Sequence, residues 1–204
     1  MTNVTIHGLS ASSYVRTARM ICYEKGIEHE LRPVELGSDA HRALHPWAKM
    51  PILDHGSIRL YETTAITRYL DDTFSPGSLT PKDIAARARG EQWISVLNAY
   101  LYETFVRNYI LQYIFPRGAD GKPNREVIDR AVQKMAHDLD GLEKGIRHQY
   151  LAGDTLSIVD LFYAPVLYST SLFPEGKPAI ASRPNVQRYL DRITDRASFK
   201  KAQA

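Results

Sequence analysis

The chain has 204 residues, of which 44% are hydrophobic and 24% charged, and its formal net charge is +3. This composition is typical of a globular protein with one large or two small domains. No apolar run is long enough to span a bilayer and no apolar signal segment follows Met1, so we expect a soluble, cytoplasmic protein. Basic residues are scattered among acidic ones, which argues against nucleic acid as the main partner. The single cysteine, Cys22, excludes an internal disulfide and a cysteine-based metal cluster.

Short apolar runs alternate with amphipathic stretches in the first part of the chain. Their periodicity predicts, in chain order, a strand, a helix, a strand, an irregular connection, two strands and a helix. Gly26 suits the end of the first helix, and the sequence DHGS at residues 54–57 suits a hairpin turn between the last two strands. We therefore expect an α/β domain with a mixed four-stranded sheet over residues 1–76.

The composition changes once, in a segment rich in proline, glycine and serine at residues 75–83. Such a segment is typical of a linker, which we place at residues 77–84. Beyond it the strand patterns stop and apolar residues recur at helical spacing. Pro116 ends the first long helix of this part, and Pro184 lies near the start of a later one. Residues 85–204 are therefore predicted to form an all-helical domain.

The stretch KMPILDHGSIRLYETTAITRYL, residues 49–70, contains a proline where a strand should open. A proline removes a hydrogen-bond donor from a strand, so Pro51 belongs at a strand start, at a bulge or after a cis bond. If the Met50–Pro51 bond is cis, we expect the Met50 N–H and C=O to point out of the sheet. An extended peptide ligand could then pair with this backbone as an added strand.

The same stretch places Glu62, Thr63 and Thr64 at a strand-to-helix junction. Thr63 or Thr64 would lie near a helix N-cap, whose free N–H groups favour a carboxylate. Glu62 beside them would attract an ammonium group. The two demands together fit a zwitterion such as the head group of an amino acid. Plain capping of the helix is the alternative explanation.

With these motifs the chain resembles the glutathione transferase superfamily over essentially its whole length. The first half is similar to the thioredoxin-like glutathione-binding domain. There, a hydrophobic residue before a cis-proline binds the cysteinyl backbone, and an acidic residue followed by serine or threonine binds the γ-glutamyl group. The resemblance implies these roles for Met50, Pro51, Glu62 and Thr63, the last standing where serine is commoner. Lys49 resembles the residue that many classes direct at the glycine carboxylate.

A second motif, GDTLSIVDLFYAPVL at residues 153–167, is similar to a helix-start motif of the same family. In a capping box, the Ser157 hydroxyl accepts from the Asp160 N–H and the Asp160 carboxylate accepts from the Ser157 N–H. Ser157 and Asp160 are therefore expected to serve folding and not chemistry.

Catalysis is expected from the loop GLSASSYVRTAR, residues 8–19. It resembles the serine-type pattern of the tau, phi and zeta classes, a serine followed four positions later by arginine, which Ser12 and Arg16 match. The resemblance implies that Ser12 binds the glutathione sulfur and is the catalytic residue, with Ser13 next and Ser10 close enough to compete. The thiolate is the nucleophile, and a hydroxyl donor beside a helix N-terminus stabilises it. A polar turn that only caps the helix is the alternative.

Three other residues attract attention for their reactivity or ligand chemistry. Cys22 falls inside the first helix, where it is expected to be a small buried residue, so a glutaredoxin-like or omega-type reductase is disfavoured. His41 and His45 have the spacing of a helical metal pair, but no further ligand cluster is evident and Pro46 follows at once. We therefore expect no metal site.

Aromatic residues form a stripe along the first long helix of the second domain, and packing is its default explanation. In the family this helix supplies the pocket for the electrophile. The resemblance therefore makes Tyr102 and Tyr109 candidates for that pocket, together with Tyr14.

The expected function is that of a glutathione transferase, which conjugates the glutathione thiolate to electrophilic small molecules and also reduces peroxides. Its partners would be glutathione as co-substrate, a hydrophobic electrophile and, as is usual in the family, a second copy of the chain. One alternative is a zeta-like, glutathione-dependent isomerase of the maleylacetoacetate type, suggested by the paired serines at 12 and 13. Another is a non-enzymatic member that binds ligands or a partner protein.

Overall fold

The computed structural model describes residues 3–75, 77–116 and 118–203. The chain divides into two compact units. Unit 1 comprises Met1–Thr80 and Asp195–Ala204, and unit 2 comprises Pro81–Thr194.

The helices and strands follow the predicted order with one addition, because the connection predicted to be irregular contains a short helix at Asp39–Leu44. The first part of unit 1 contains β1 (Val4–His7), α1 (Ser13–Glu24), β2 (His29–Arg32), α2 (Asp39–Leu44), β3 (Ile52–His55), β4 (Ile58–Tyr61) and α3 (Thr63–Thr73). Unit 2 contains α4 (Ile84–Val96), π-helical turns at Leu97–Leu101 and Glu103–Ile110, α5 (Leu111–Ile114), a 3₁₀ turn (Ala119–Gly121), α6 (Arg125–Gly145), α7 (Ile158–Ser171), α8 (Gly176–Ala181) and α9 (Pro184–Thr194). The chain returns to unit 1 with α10 (Ala197–Gln203).

The sheet of unit 1 has four strands in the order β2-β1-β3-β4. β1 pairs in parallel with β2 and antiparallel with β3, and β4 pairs antiparallel with β3. All four residues of the central strand β1 are buried, as expected for a strand covered on both faces. This mixed sheet, followed by a helical unit, confirms the predicted fold class.

Local sequence signals fix the ends of these elements. Ser12 is the N-cap of α1, and Gly26, at a φ of +64°, follows its C-cap residue. Gly56, at a φ of +61°, lies in the tight connection in which His55 and Ile58 are paired across the hairpin. A positive φ costs glycine little because it has no Cβ, so both predicted turns form where the sequence places them.

Residues 78–80, at the beginning of the predicted linker, are hydrogen-bonded to Asp71 near the end of α3 in unit 1. The buried carboxylate of Asp71 accepts hydrogen bonds from Lys25 Nζ at 3.0 Å and from the Leu79 N–H at 2.8 Å. It also accepts from the Ser78 hydroxyl and from both the N–H and the hydroxyl of Thr80. These bonds keep residues 78–80 with unit 1, although the composition alone placed the linker at 77–84.

The C-terminal residues also differ from the expected boundary, which assigned everything after residue 84 to the helical domain. Arg196 makes a two-pronged ion pair with Glu24 at the end of α1, at 2.7 and 2.8 Å, and Ser198 donates to the same carboxylate. The Arg19 guanidinium donates to the carbonyls of Lys201 and Ala202 at the end of α10. These contacts place α10 in unit 1.

Unit 2 is built around α7, which is apolar on nearly all sides and almost entirely buried. The preceding helix α6 has a buried apolar face that includes Met135 and Leu139. The predicted first long helix runs from Ile84 through the π-helical turns to Ile114, and Pro116 follows its end as expected. None of the described helices has the length and apolarity needed to cross a membrane.

The predicted cap of α7 is present. The Asp160 carboxylate accepts from the Ser157 N–H at 2.8 Å and from the Ser157 hydroxyl at 3.0 Å. Its other oxygen accepts from the Leu151 N–H and from the Tyr189 hydroxyl, each at 3.0 Å. Asp160 is fully buried, and burial, which disfavours its charge, outweighs these bonds and raises its pKa to about 6. The residue therefore ties three segments of unit 2 together.

Candidate functional site

The loop that follows β1 is brought against Met50 by a glycine. Gly8 has a φ of +154°, and a Cβ at this position would lie 2.4 Å from Val15 Cγ2 and 3.3 Å from Met50 Cβ. The N–H of Leu9 donates to Met50 Sδ at 3.3 Å. The serine loop and the residue before the proline, which are about forty positions apart in sequence, are therefore neighbours in unit 1.

Ser12 lies at the N-terminus of α1 in an extended conformation. Its Oγ accepts from the Val15 N–H at 3.4 Å, and its side chain is half-buried. In this bond the hydroxyl oxygen is the acceptor, so the bond leaves the hydroxyl hydrogen available for an acceptor outside the helix. Ser13 is the first residue of α1 and is buried, with only 7% of its surface exposed. The geometry thus favours Ser12 over Ser13 as a donor to a ligand.

Arg16 gives a physical reason for the four-residue spacing. Its N–H donates to the Ser12 carbonyl at 2.9 Å, which is the first hydrogen bond of α1. Its Nε donates to the Ser10 carbonyl, also at 2.9 Å. Arg16 therefore shapes the loop that carries Ser12, a backbone contact that the sequence pattern alone did not predict. Tyr14, a candidate for the electrophile pocket, is half-buried on the first turn of the same helix.

The Met50–Pro51 bond is cis, which confirms the prediction for this bond. Pro51 is buried directly before β3, Met50 is half-buried and Lys49 is exposed. The pairing of the Met50 backbone with a ligand stays a prediction.

Glu62 has an uncommon backbone for a non-glycine residue, with a φ of +71°, and is the N-cap residue of α3. Its side chain is exposed and makes no capping hydrogen bond, so it does not serve as a plain cap of its helix. Thr63, the first residue of α3, is buried. Capping therefore does not account for the uncommon backbone of Glu62, and its role as a ligand-binding residue stays a prediction.

The pKa of His45 reflects the charges of two candidate ligand-binding residues, Glu62 and Lys49. Burial lowers the pKa of its imidazole below the usual value, the Glu62 carboxylate opposes that decrease, and the charge of Lys49 adds to it. His45 therefore lies within electrostatic reach of both Glu62 and Lys49. Its ring packs against Tyr61 with 4.5 Å between the ring centres.

Both histidines of the i, i+4 pair bind backbone groups through a ring nitrogen. His45 Nδ1 accepts from the Trp47 N–H at 3.2 Å. His41 Nδ1 accepts from the Gly37 N–H at 3.3 Å, and its Nε2 bonds the Lys49 carbonyl at 3.0 Å. Within the described ranges no group of three or more histidine, cysteine, aspartate and glutamate side chains gathers as a metal site would require. His45 follows the end of α2 in an extended conformation, so the two residues do not share a helix face, and both rings bind backbone groups.

One candidate for the electrophile pocket must be corrected. Tyr109 is completely buried, with its hydroxyl donating to Glu175 at 3.1 Å and accepting from the Gly176 N–H at 2.7 Å. Burial raises the pKa of this phenol above its usual value. Tyr109 therefore holds α8 to the long helix and has no surface to offer a ligand. Tyr102 is half-buried, and its role stays a prediction.

Cys22 is fully buried in α1, and burial raises the pKa of its thiol to about 12. A thiol that does not ionise near neutral pH is a poor nucleophile. This is the inert, core-filling cysteine that the sequence predicts.

Comparison with known proteins agrees with this geometry. The family model "Glutathione S-transferase, N-terminal domain" matches residues 6–78, and "Glutathione S-transferase, C-terminal domain" matches residues 125–192. Glutathione S-transferase F10 of Arabidopsis thaliana is 32% identical over 96% of this chain and 94% of its own length. Glutathione S-transferase 3 of Zea mays is 28% identical over 100% of this chain and 95% of its own length. The crystal structure of poplar glutathione transferase F1 covers 99% of this chain and 97% of its own, with a TM-score of 0.89 and 26% identity.

The chain belongs to the glutathione S-transferase family. Membership confirms the sequence-based expectation of an enzyme that uses glutathione as co-substrate in conjugation reactions.

Proposed function

We propose that the protein is a serine-type glutathione transferase in which Ser12 activates the glutathione thiol. The observation that carries this proposal is the position of Ser12, a half-exposed hydroxyl at the N-terminus of α1 whose one bond to the helix leaves its hydrogen free to donate. The adjacent loop residue Leu9 contacts Met50, so the serine and the backbone proposed to hold the cysteinyl residue are close together.

The proposed chemistry follows from the stability of the thiolate. The Ser12 O–H donates to the sulfur, and the N-terminal end of α1 favours negative charge there. Each unit by which the thiol pKa falls corresponds to about 1.4 kcal/mol of preference for the thiolate. The proton leaves to solvent, the sulfur lone pair forms a bond to the electrophilic carbon, and a leaving group such as halide departs with its bonding electrons.

The remaining candidates would hold the tripeptide without taking part in chemistry. The exposed Glu62 carboxylate would pair with the α-ammonium of the γ-glutamyl residue, and the first turn of α3 at Thr63 would bind its carboxylate. The Met50 backbone would pair with the cysteinyl residue, Pro51 would shape that segment, and Lys49 would meet the glycine carboxylate.

We also propose that the protein acts as a cytoplasmic homodimer. Trp47 supports this assembly, since 66% of this large aromatic side chain is exposed, and exposed aromatic residues are enriched at subunit interfaces. Sedimentation at several concentrations tests the assembly.

The test of the catalytic role compares Ser12→Ala with Ser13→Ala. We expect Ser12→Ala to bind glutathione nearly as well as the wild type, because the other contacts remain. Its turnover of a chloronitrobenzene should fall about 10²–10³-fold, as for removal of one donor to a developing anion. The ultraviolet absorbance of bound thiolate, followed against pH, should show a higher apparent thiol pKa in Ser12→Ala only.

Three other outcomes would change the assignment. A rise in the apparent pKa confined to Ser13→Ala would make the neighbouring serine the catalyst. If the apparent thiol pKa changes in neither variant, the backbone amides at the start of α1 stabilise the thiolate. Turnover of a peroxide or of maleylacetoacetate, with none of the chloronitrobenzene, would replace conjugation as the reaction.

A further inference from the structure

His41 lies in α2 and is almost completely inaccessible, with 1% of its surface exposed. Its ring bridges two backbone groups from opposite ends of a loop: Nδ1 accepts from the Gly37 N–H at 3.3 Å, and Nε2 lies 3.0 Å from the Lys49 carbonyl oxygen. Only the neutral ring with its hydrogen on Nε2 satisfies both, because the first contact needs an acceptor and the second a donor. The ring thus links the backbone at Gly37 to the backbone at Lys49 through two hydrogen bonds.

The hydrogen bond from His41 to the Lys49 carbonyl fixes the orientation of the Lys49–Met50 peptide group. The carbonyl of Lys49 and the N–H of Met50 belong to the same planar unit, and in a trans peptide they point in opposite directions. When His41 binds the carbonyl on the α2 side, the Met50 N–H must point away from α2. Rotation of that plane would turn both groups together.

We infer that His41 is a positioning residue that presents the Met50 N–H to bound glutathione. This inference rests on the proposed function, in which the Met50 backbone pairs with the cysteinyl residue. His41 itself touches no substrate and acts only through the Lys49–Met50 peptide.

The surroundings explain why one side chain has this influence. The Lys49–Met50 peptide lies between the end of α2 at Leu44 and the start of β3 at Ile52, outside any helix or sheet ladder. His41, by contrast, is well anchored, because its own N–H donates to Ser38 Oγ at 3.1 Å and Ser38 Oγ donates to the Glu35 carbonyl at 2.9 Å. A rigid donor therefore fixes an otherwise irregular segment, which is how a supporting residue keeps a binding group in place.

The decisive experiment measures glutathione binding by calorimetry in the wild type, His41→Phe and His41→Gln. Phe keeps a buried ring and removes both ring hydrogen bonds, the acceptor for Gly37 and the donor to Lys49. The Gln side chain can place an amide N–H near the position of Nε2. We expect His41→Phe to bind glutathione about fivefold to tenfold more weakly, as for loss of one hydrogen bond. His41→Gln should recover most of the affinity. The rate at saturating glutathione and the apparent pKa of the bound thiol should stay at wild-type values in both.

His29→Phe is the matched control, since His29 also bonds a backbone carbonyl, that of Ile27 at 3.2 Å, in unit 1. It should lower the urea midpoint without changing glutathione affinity. If His41→Phe loses stability and keeps its affinity, as the control does, His41 is structural only and the inference is wrong.

Two further outcomes separate this inference from the proposed function. If the wild type does not bind glutathione, the proposed function fails. If the wild type binds and the apparent thiol pKa rises in His41→Phe, the ring acts on the sulfur, and a positioning role through Met50 is refuted. If His41→Phe does not fold, the glutathione affinities of His41→Gln and His41→Asn are compared instead. We expect weaker binding in His41→Asn, because the shorter Asn side chain cannot reach the Lys49 carbonyl. Equal affinity in those two variants would overturn the inference.

Discussion

The two units each contain a buried aspartate that accepts several hydrogen bonds, and the two carboxylates behave oppositely. Burial raises the pKa of both. For Asp71 in unit 1, the bonds from residues 78–80 and from Lys25 outweigh burial and lower the pKa below its ordinary value. For Asp160 in unit 2, burial prevails and the pKa rises to about 6.

The difference lies in the depth of burial and in the partners, since Asp71 accepts five hydrogen bonds, one of them from a cation, and Asp160 accepts four. Asp71 forms an ion pair with Lys25 at 3.0 Å, and both side chains are nearly inaccessible. All the groups that bond Asp160 are neutral: two N–H groups and the hydroxyls of Ser157 and Tyr189. A buried charge opposite a cation can stay ionised, whereas hydrogen bonds alone do not replace the lost water at the more deeply buried site. One aspartate is therefore an ionic anchor and the other a cap that favours its protonated form.

The largest expected effect comes from breaking the ion pair. In Asp71→Leu, the only partners left for the buried Lys25 ammonium are the backbone carbonyl oxygens at positions 71 and 77. We expect a loss of about 3–5 kcal/mol in the free energy of unfolding, measured in urea at neutral pH. The double variant Lys25→Met/Asp71→Leu should recover part of this loss, because no unpaired charge remains. A double variant no more stable than Asp71→Leu would show that residues 78–80, and not the ion pair, make Asp71 important.

The pH dependence of stability provides the second test. The folded pKa of Asp160, about 6, lies above its ordinary value of 3.8, so the folded state binds the proton more tightly. Its contribution is complete below pH 3.8 and is lost as the pH rises through 6. Two units of pKa correspond to about 3 kcal/mol. The stability of the wild type relative to Asp160→Asn should therefore fall between pH 4 and pH 7.

Asp71 should show the opposite trend. Its lowered pKa means that its contribution is present above pH 3.8 and is lost as the pH falls further. His29 and His45, whose pKa values burial lowers, favour folding as the pH rises toward 6.5. Because they are common to the wild type and Asp160→Asn, the difference between those proteins removes their effect. A difference that is flat, or that grows with pH, would contradict the raised pKa of Asp160.

The comparison also shows how much could be predicted from sequence. The cap at Ser157 and Asp160 joins residues three positions apart, so its pattern is visible in the sequence and the structure contains it. The partners Lys25 and Asp71 are 46 positions apart, and no local pattern connects them. The prediction of an all-helical domain up to residue 204 likewise does not reveal that α10 belongs to unit 1.

The candidate site shows the same limit. The order of the strands and of most helices and the helix start near Ser12 follow from local signals. The cis bond before Pro51 does not, because the local signals left three possibilities open and only the family resemblance implied the cis bond. The spacing of His41 and His45 was also visible, but α2 ends at Leu44 and His45 is extended, so the spacing did not correspond to a helical pair. Two contacts depend on tertiary structure that local periodicity does not encode. His41 binds the Lys49 carbonyl, and the buried Tyr109 hydroxyl binds Glu175.

The smallest expected effect sharpens the comparison within the cap itself. Ser157→Ala removes one of the four donors to Asp160 and leaves its N–H in place, so the loss should be about 0.5–2 kcal/mol in the free energy of unfolding. Because that donor stabilises the ionised carboxylate, its removal should raise the Asp160 pKa further, so the fall in stability, which starts near pH 3.8, should extend to a higher pH than in the wild type. Urea unfolding of Ser157→Ala across the same pH range measures both effects. Glutathione affinity of the folded variant should equal that of the wild type, because Ser157 belongs to unit 2 and the proposed tripeptide contacts all lie in unit 1. A parallel loss of affinity would show that the cap supports the site as well as the fold.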